Sequence, residues 1–404
     1  MFDFYNKMSI RLISLLCLIF SFTEAAVQDN RDKIKDCSLS VPDKDVKLMP
    51  IAFVPNGRKY HIIYPDDKGA LNVRYGHNFK LACVGNNTFA AVAPTYTEIL
   101  VTCAGGNNVT YRGQRYRYGQ FKCQQTPKSV LKLTGDKCQT NHSLVTVGFQ
   151  TKWRHLTMLK ICFDTTAKNS LYTWYAARSP YHDYHQYMKS KPSFVNSREL
   201  YGTMNVNKFY TLKEQKKTVA KILGSEEQME KYYTDSEHSL SRGHFAARAD
   251  FALYVEQYAT YYYANVAPQW QVFNGKLWSQ LENHTRLKLS NDSSRYVIVT
   301  GTYGVCTLED VDGEQQPIHL DPPYRLPVPL YYWKLVYNVD DDDGTVYLGL
   351  NNPFMNITDD VYICPNTCPD GYEGNDANDG LVYCCSKEEF EKVYGELDKT
   401  LFEK

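Results

Sequence analysis

Residues 241–286 read SRGHFAARADFALYVEQYATYYYANVAPQWQVFNGKLWSQLENHTR, and their polar residues fall in an arrangement that a packed core does not require. Ser241, Arg242, Gly243 and His244 come first. Asn265, Pro268 and Gln269 close a Tyr-rich run, and Asn274, Glu282 and Arg286 sit in the apolar period of a helix expected over 274–289. At 3.6 residues per turn, offsets of eight and twelve drift only about 120° around the axis, so Asn274, Glu282 and Arg286 share one broad face. Trp278 lies on the same stripe and packs beneath them, while Leu277 and Leu281 supply the apolar side. Asn283, which begins an N-x-T sequon, falls about half a turn from Asn274 and points away from that face.

An amide oxygen, a carboxylate and a guanidinium on one face suit a hydrated Mg²⁺ and an anionic substrate. Magnesium takes oxygen ligands and keeps several waters, with only one or two protein contacts. Asn274 supplies a neutral oxygen, and Glu282 accepts from metal-bound waters. Such an ion polarises a phosphoryl oxygen and steadies the leaving oxygen. His244 titrates near neutrality and fits a general base, a role worth about 10²- to 10⁴-fold. Arg242 and Arg286 hold the phosphate and offset charge that grows in the transition state. Taken singly, each residue has a plainer reading. The His after Gly is a turn residue, the Asn is a helix cap, and Glu282 with Arg286 is an exposed ion pair. Only the joint arrangement carries the chemistry.

At these residues the sequence resembles the DNA/RNA non-specific endonucleases, the ββα-metal or His-Me finger nucleases. Their pattern is Asp-Arg-Gly-His, then Asn-x-x-Pro-Gln, then Asn, Glu and Arg at fixed offsets. Here Arg242-Gly243-His244, Asn265 to Gln269, Asn274, Glu282 and Arg286 match, with Val299-Thr300-Gly301 and Tyr332-Trp333-Lys334 as similar strand segments downstream. The similarity is firm over 235–355, extends over 140–385 and leaves out the N-terminal region. It implies His244 on a hairpin, Asn274 on the following helix and one Mg²⁺ between them, with Mn²⁺ as a substitute. It also implies hydrolysis of DNA and RNA to 5′-phosphate ends. Ser241 stands where the pattern has Asp. A basic residue reaching the phosphate from upstream has no clean match, with Lys191 and Arg178 as the candidates. Within the family, the chain looks most like the secreted arthropod branch, the salivary endonucleases of sand flies.

Outward from this stretch, strand-like runs fall at 143–150, 170–177, 260–267, 295–303, 331–338 and 345–350, and helix-like runs at 212–223, 246–258, 274–289 and 387–401. Strands and helices neither alternate strictly nor segregate. This predicts an α+β domain over 136–404 with a mixed or antiparallel sheet core and a ββα-metal finger active site. Asp340 to Asp343 before Gly344 fail the EF-hand spacing and read as a solvated turn. There is no Walker-type loop, His-Glu-x-x-His pair or Gly-x-Ser-x-Gly elbow.

Residues 1–26 read as a signal peptide: Lys7 and Arg11, an apolar run from Leu12 to Phe22, then small residues for cleavage. That run is too short to span a bilayer, and no spanning run follows, so the mature chain is expected to be secreted and free of the membrane. Six N-x-S/T sequons, at Asn86, Asn108, Asn141, Asn283, Asn291 and Asn356, agree with export. Of the 12 cysteines, Cys17 leaves with the signal, and the odd remainder predicts disulfides plus one free thiol. Cys364, Cys368, Cys384 and Cys385 could be offered as a zinc site, but without a nearby His they read as bridges. Residues 27–135 carry short β-prone runs such as HIIYP, TEILVTC and KSVLKL, which predicts a β-rich module pinned by disulfides, its protein partner unknown.

The 45 basic and 45 acidic residues balance, which argues against a chromatin-type binder. Backbone phosphates dominate non-specific affinity, so a local groove is still required, and Arg248, Lys276, Lys288 and Lys334 are its candidates. The leading expectation is a secreted Mg²⁺-dependent endonuclease acting on DNA and RNA. Two alternatives stand beside it: a non-catalytic binding protein on the same fold, and an enzyme narrowed to double-stranded RNA.

Overall fold

The computed structural model describes residues 35–402 apart from 41–42, 57–58, 67, 178–190, 291, 293 and 377–379, so the signal segment lies outside the described residues. The chain divides into two compact units, one running to Cys83 with Asn87–Gln125, the other comprising Val84–Asn86 and Thr126–Lys404. The boundary expected near 135 therefore moves to about 125. The KSVLKL run that had been given to the module belongs to the larger unit, because its backbone pairs there.

In the first unit, β1 (Ile51–Asn56), β2 (Lys59–Ile62), β3 (Asn78–Ala82), β4 (Glu98–Cys103), β5 (Asn108–Tyr111) and β6 (Gln114–Arg117) form one antiparallel sheet, ordered β2-β1-β3-β4-β5-β6. Alternation along β4 turns Ile99, Val101 and Cys103 inward onto Phe79, Phe89 and Phe121. Arg112 and Gly113 both take positive φ between β5 and β6, the backbone of a tight two-residue hairpin. Bridges Cys37–Cys103 and Cys83–Cys123 tie the sheet to its flanking loops.

The second unit is built on a nine-stranded sheet whose pairings are all antiparallel, which resolves the mixed-or-antiparallel expectation. Its strands are β7 (Val130–Cys138), β8 (His142–Gln150), β9 (His155–Asp164), β10 (Asn169–Ala177), β13 (Tyr296–Val305), β14 (Pro329–Asn338), β15 (Asp343–Leu350), β16 (Gly374–Asp376) and β17 (Gly380–Ser386). Their order is β16-β17-β15-β14-β13-β10-β9-β8-β7. Apart from them, β11 (Leu240–His244) and β12 (Val266–Trp270) pair antiparallel and lead into a helix over 271–290. Strand, strand and helix together make the ββα unit expected around His244.

Central strand β14 is buried on both faces. Trp333 and Leu335 face Phe390 of the helix Lys387–Tyr394, while Tyr332 faces Trp278 of the 271–290 helix, with ring centroids 5.4 Å apart. Cys138–Cys162 ties β7 to β9, and Cys364–Cys385 and Cys368–Cys384 take the four cysteines considered for zinc. Cys306 is the free thiol among the described residues; it is buried, and burial pushes its pKa up to about 12, so it is inert at neutral pH. Among the described residues no helix is long and apolar enough to cross a membrane.

Two expectations fail locally. The run 246–258 is not one helix but a short turn, Arg248–Asp250, followed by the helix Tyr254–Ala259, because the Asp250 side chain is held by Arg286 and Tyr175. The Tyr-rich run 260–267 is not a strand over its length. Tyr263–Asn265 form a turn, and the strand begins only at Val266.

Candidate active site

Gly243 sets the position of His244. A Cβ there would lie 2.1 Å from Gln269 Oε1 and 2.6 Å from the Tyr332 hydroxyl, so only glycine lets β11 lie this close to β12 and β14. Asn265 then fixes the segment after His244: its Oδ1 accepts from the Ala246 amide at 3.0 Å and its Nδ2 donates to the Ala246 carbonyl at 3.0 Å. Asn265 and Gln269, both fully buried, are thus scaffold beneath the site.

The 271–290 helix opens with a π-helical turn over Asn274–Trp278. Such turns are rare and recur at functional sites. A wider turn rotates less per residue than an α turn, so Asn274 and Glu282 drift apart less than ideal α geometry predicts. Trp278 and Leu281 are fully buried against the sheet, while Asn283 is exposed on the opposite side. Asn274 donates from Nδ2 to Ser241 Oγ at 2.9 Å, and Ser241 Oγ donates to the Gln269 carbonyl at 3.0 Å. Because the serine proton is already committed, its oxygen can only accept from Asn274. This fixes the amide orientation and leaves Asn274 Oδ1 as the free acceptor.

His244, Asn274, Glu282, Arg286, Lys191, Arg248 and Tyr261 line one open cleft of about 410 Å³. The His244 ring packs against Phe194 and Tyr261, with centroids 5.4 and 5.2 Å away, and its Nε2 is buried with no hydrogen-bond partner among the described residues. Burial first, then the positive charges of Arg248 and Lys191, lower its pKa to about 4 against a smaller opposing pull from Asp250. The imidazole is therefore unprotonated at neutral pH and able to accept a proton, but it is a weaker base than the near-neutral titration expected of it, because burial disfavours its charged form. Burial raises Glu282 to about 7, with Asp250 adding to the rise and Lys334 and Arg286 opposing it. Arg286 Nη1 donates to Asp250 Oδ1 at 3.0 Å, and the Tyr175 hydroxyl donates to Asp250 Oδ2.

Not every expected cation is in the cleft. Arg242 does not line it: Nε donates to the Tyr263 hydroxyl at 3.2 Å, Nη2 to Asn207 Oδ1 at 2.9 Å, and the guanidinium lies over Phe194, Tyr210 and Tyr263. Lys334 is only 1% exposed and donates to Thr300 Oγ1 at 2.9 Å, so it cannot reach a substrate groove. Lys288 pairs with Asp370 at 3.2 Å, and Arg178 lies outside the described residues.

A base, an amide oxygen, a carboxylate and cations around one cleft are the parts of a phosphodiesterase, and residues 141–395 match the sequence profile of the DNA/RNA non-specific endonucleases. The chain belongs to that family. A salivary endonuclease of Lutzomyia longipalpis is 24% identical over 369 residues, 89% of this chain and 83% of the relative. Salivary protein Tsal1 of Glossina morsitans morsitans is 25% identical over 366 residues, 87% of this chain and 88% of the relative. A solved chain of the EndoG/EndoGI complex aligns over 61% of this chain and 84% of its own, with 18% identity and a TM-score of 0.34.

In this member of the family, three site features depend on contacts that the sequence alone does not show. Asp250 was visible in the RADF run, but its bond to Arg286 is not a local contact. Lys334, expected in the groove, is instead buried in the sheet, where its charge opposes the rise in the Glu282 pKa. Ser241 was read only as a departure from the pattern, and the short reach that lets it hold Asn274 depends on how β11 meets the helix.

Proposed function

We propose that this chain is a secreted endonuclease that hydrolyses the phosphodiesters of DNA and RNA with little sequence preference, using a divalent cation, Mg²⁺ or Mn²⁺. The convergence of His244, Asn274, Glu282 and Arg286 on one cleft carries this function.

The donor set fits a hard, hydrated ion. The Asn274 amide nitrogen is engaged by Ser241, which turns Oδ1 away from that contact, and Glu282 lines the same cleft, so both donors are hard oxygens. Asn274 would hold the ion and Glu282 its waters, and the ion when bound supplies a Lewis acid for the phosphoryl and leaving oxygens. The His244 imidazole takes a proton from water, and the resulting hydroxide attacks phosphorus. The P–O3′ bond breaks, and the leaving O3′ takes a proton from solvent water, giving a 5′-phosphate and a 3′-hydroxyl. Arg286, Lys191 and Arg248 hold the phosphate and balance its growing charge. Arg242 braces the hairpin that carries His244. The signal-like first 26 residues and the salivary names of the relatives support release in saliva and action on extracellular host nucleic acid.

Digestion of plasmid DNA and of RNA, with Mg²⁺ and with chelator, tests this. The native chain should cut both only with the metal. His244→Ala should lose at least about 10²-fold in rate with an unchanged melting profile. Cutting in chelator contradicts metal dependence. Retention of more than about a few per cent of activity in His244→Ala contradicts the assigned base. A native chain that retards DNA on a gel but never cuts it establishes the binding-protein alternative.

A further inference from the structure

The balanced net charge conceals a division between the two units. Residues 27–125 carry 14 Lys and Arg against 8 Asp and Glu, whereas residues 126–404 carry 29 against 35. The unit that holds the cleft is therefore acidic overall, and outside the cleft its field opposes the approach of a polyanion. The basic excess of the module is also concentrated. No acidic residue occurs between Glu98 and Asp136, a stretch that includes Arg112, Arg115, Arg117 and Lys122 with Tyr111, Tyr116 and Tyr118 between them.

The fold presents this stretch at an edge. β6 is the last strand of the six-stranded sheet, with one side unpaired. Alternation turns Tyr116 toward the ring of Phe121, 5.6 Å away, and sends Arg115 and Arg117 to the other face, where both are exposed and neither has an acidic partner among the described residues. Arg112, at the hairpin tip, is exposed and lies over the Tyr96 and Tyr111 rings at 5.0 and 5.4 Å. Two other basic groups of the module are paired: Lys80 with Glu98 at 2.6 Å and Lys122 with Asp45 at 2.8 Å. Arg115 and Arg117 thus form an unneutralised stripe on the outer face of an edge strand, with Arg112 at the hairpin tip on the side of Tyr111.

We propose that this stripe is a nucleic-acid-binding surface, in which Arg112, Arg115 and Arg117 contact backbone phosphates without reading sequence, so that the module captures the polymer that the acidic nuclease unit cuts. The inference rests on the substrate class proposed above. Nucleic acid is favoured over other polyanions because the cutting unit needs this same polymer and lacks the net charge to attract it. Arginine contacts of this kind release condensed counterions, so affinity falls steeply with salt.

The test uses the full chain secreted by eukaryotic cells, because the sequon residue Asn108 stands opposite Arg117 and any glycan it carries belongs in the measurement. Binding of a labelled DNA duplex of about 30 base pairs is followed by anisotropy in chelator, across a salt series. Three proteins are compared: the native chain, Arg115→Glu with Arg117→Glu, and a control with the same charge change, Lys213→Glu with Lys217→Glu, on the exposed side of the helix Leu212–Leu223. The β6 variant should bind about 10-fold or more weakly, and its log–log salt slope should shrink by about 2, while the control stays within about 2-fold of native. Its melting profile and its Mg²⁺-dependent cleavage of bis-p-nitrophenyl phosphate should match native. Unchanged DNA binding in the β6 variant, or an equal loss in the control, overturns the proposal. Loss of heparin binding with DNA binding intact overturns it in favour of a polysaccharide site. Because binding is read in chelator, failure of the His244 experiment leaves this result standing, and the reverse also holds.

Discussion

Ser241 occupies the position where the family pattern has Asp, and its hydroxyl holds the Asn274 amide at 2.9 Å while being held itself by the Gln269 carbonyl. A residue that orients a metal-holding side chain commonly changes metal affinity 10- to 100-fold when removed. Ser241→Ala should therefore raise the half-saturating Mg²⁺ concentration about 10-fold, with little change in rate at saturating metal or in melting temperature. A metal titration of activity, with direct calorimetry of Mn²⁺ binding beside it, measures this. An unchanged half-saturation point would show that the amide orients itself. The residue types at the site were legible in the sequence: His244, Asn274, Glu282 and Arg286 all reach the cleft. What was not legible is which polar neighbour each one uses. Arg242 and His244 both touch Phe194, yet only His244 opens onto the cleft. That division depends on Tyr263, Tyr210 and Asn207 arriving from other parts of the chain.

At the scale of elements, strong periodicity was reliable and mixed runs were not. The helix Leu212–Leu223 falls where its apolar spacing puts it, with Thr211 as its cap and Gly224 as its stop. Strand β9 went unread because its polar Thr157 and Lys160 interrupt the alternation, and its pairing with β8 shifts register between Val147 and Gly148. Lys334 was misplaced because β14 is buried on both faces and has no solvent side for a cation to use. The β11–β12 approach is tight enough to predict that Gly243→Ala costs about 1–3 kcal/mol, by overpacking against Gln269 and Tyr332, and lowers activity by moving His244. Denaturant unfolding and a cleavage assay on the same sample check both effects.

The turn into β9 carries a pH sensitivity of its own. Both ring nitrogens of His155 are buried without a hydrogen-bond partner among the described residues, and burial, helped by Lys132, lowers its pKa to about 4. Its folded pKa lies below the unfolded value of about 6.5, so above that pH the group contributes no pH dependence, and stability falls as pH drops from about 6.5 toward 4. His155→Phe removes the titrating group. The variant should lose less melting temperature than the native chain between pH 7 and pH 5. Parallel melts that fall equally would contradict this.

Across the whole molecule, the odd cysteine and the β-rich character of the first unit were readable from composition and spacing. The disulfide pairing and the boundary near residue 125 were not, because both depend on which strands meet. The candidate site depends on the same kind of meeting. Residues at 191, at 244–248 and at 274–286 come from separate elements, and only the packing of the ββα unit on β14 brings them to one cleft. A crystal of the native chain grown with Mn²⁺, and the same crystal form of Asn274→Ala, tests this most directly through anomalous scattering. The account predicts a peak about 2.1 Å from Asn274 Oδ1, on the side of the cleft that faces His244, and its loss in the variant. A Mn²⁺ peak bound elsewhere, with the Asn274 amide turned away from the cleft, would contradict it.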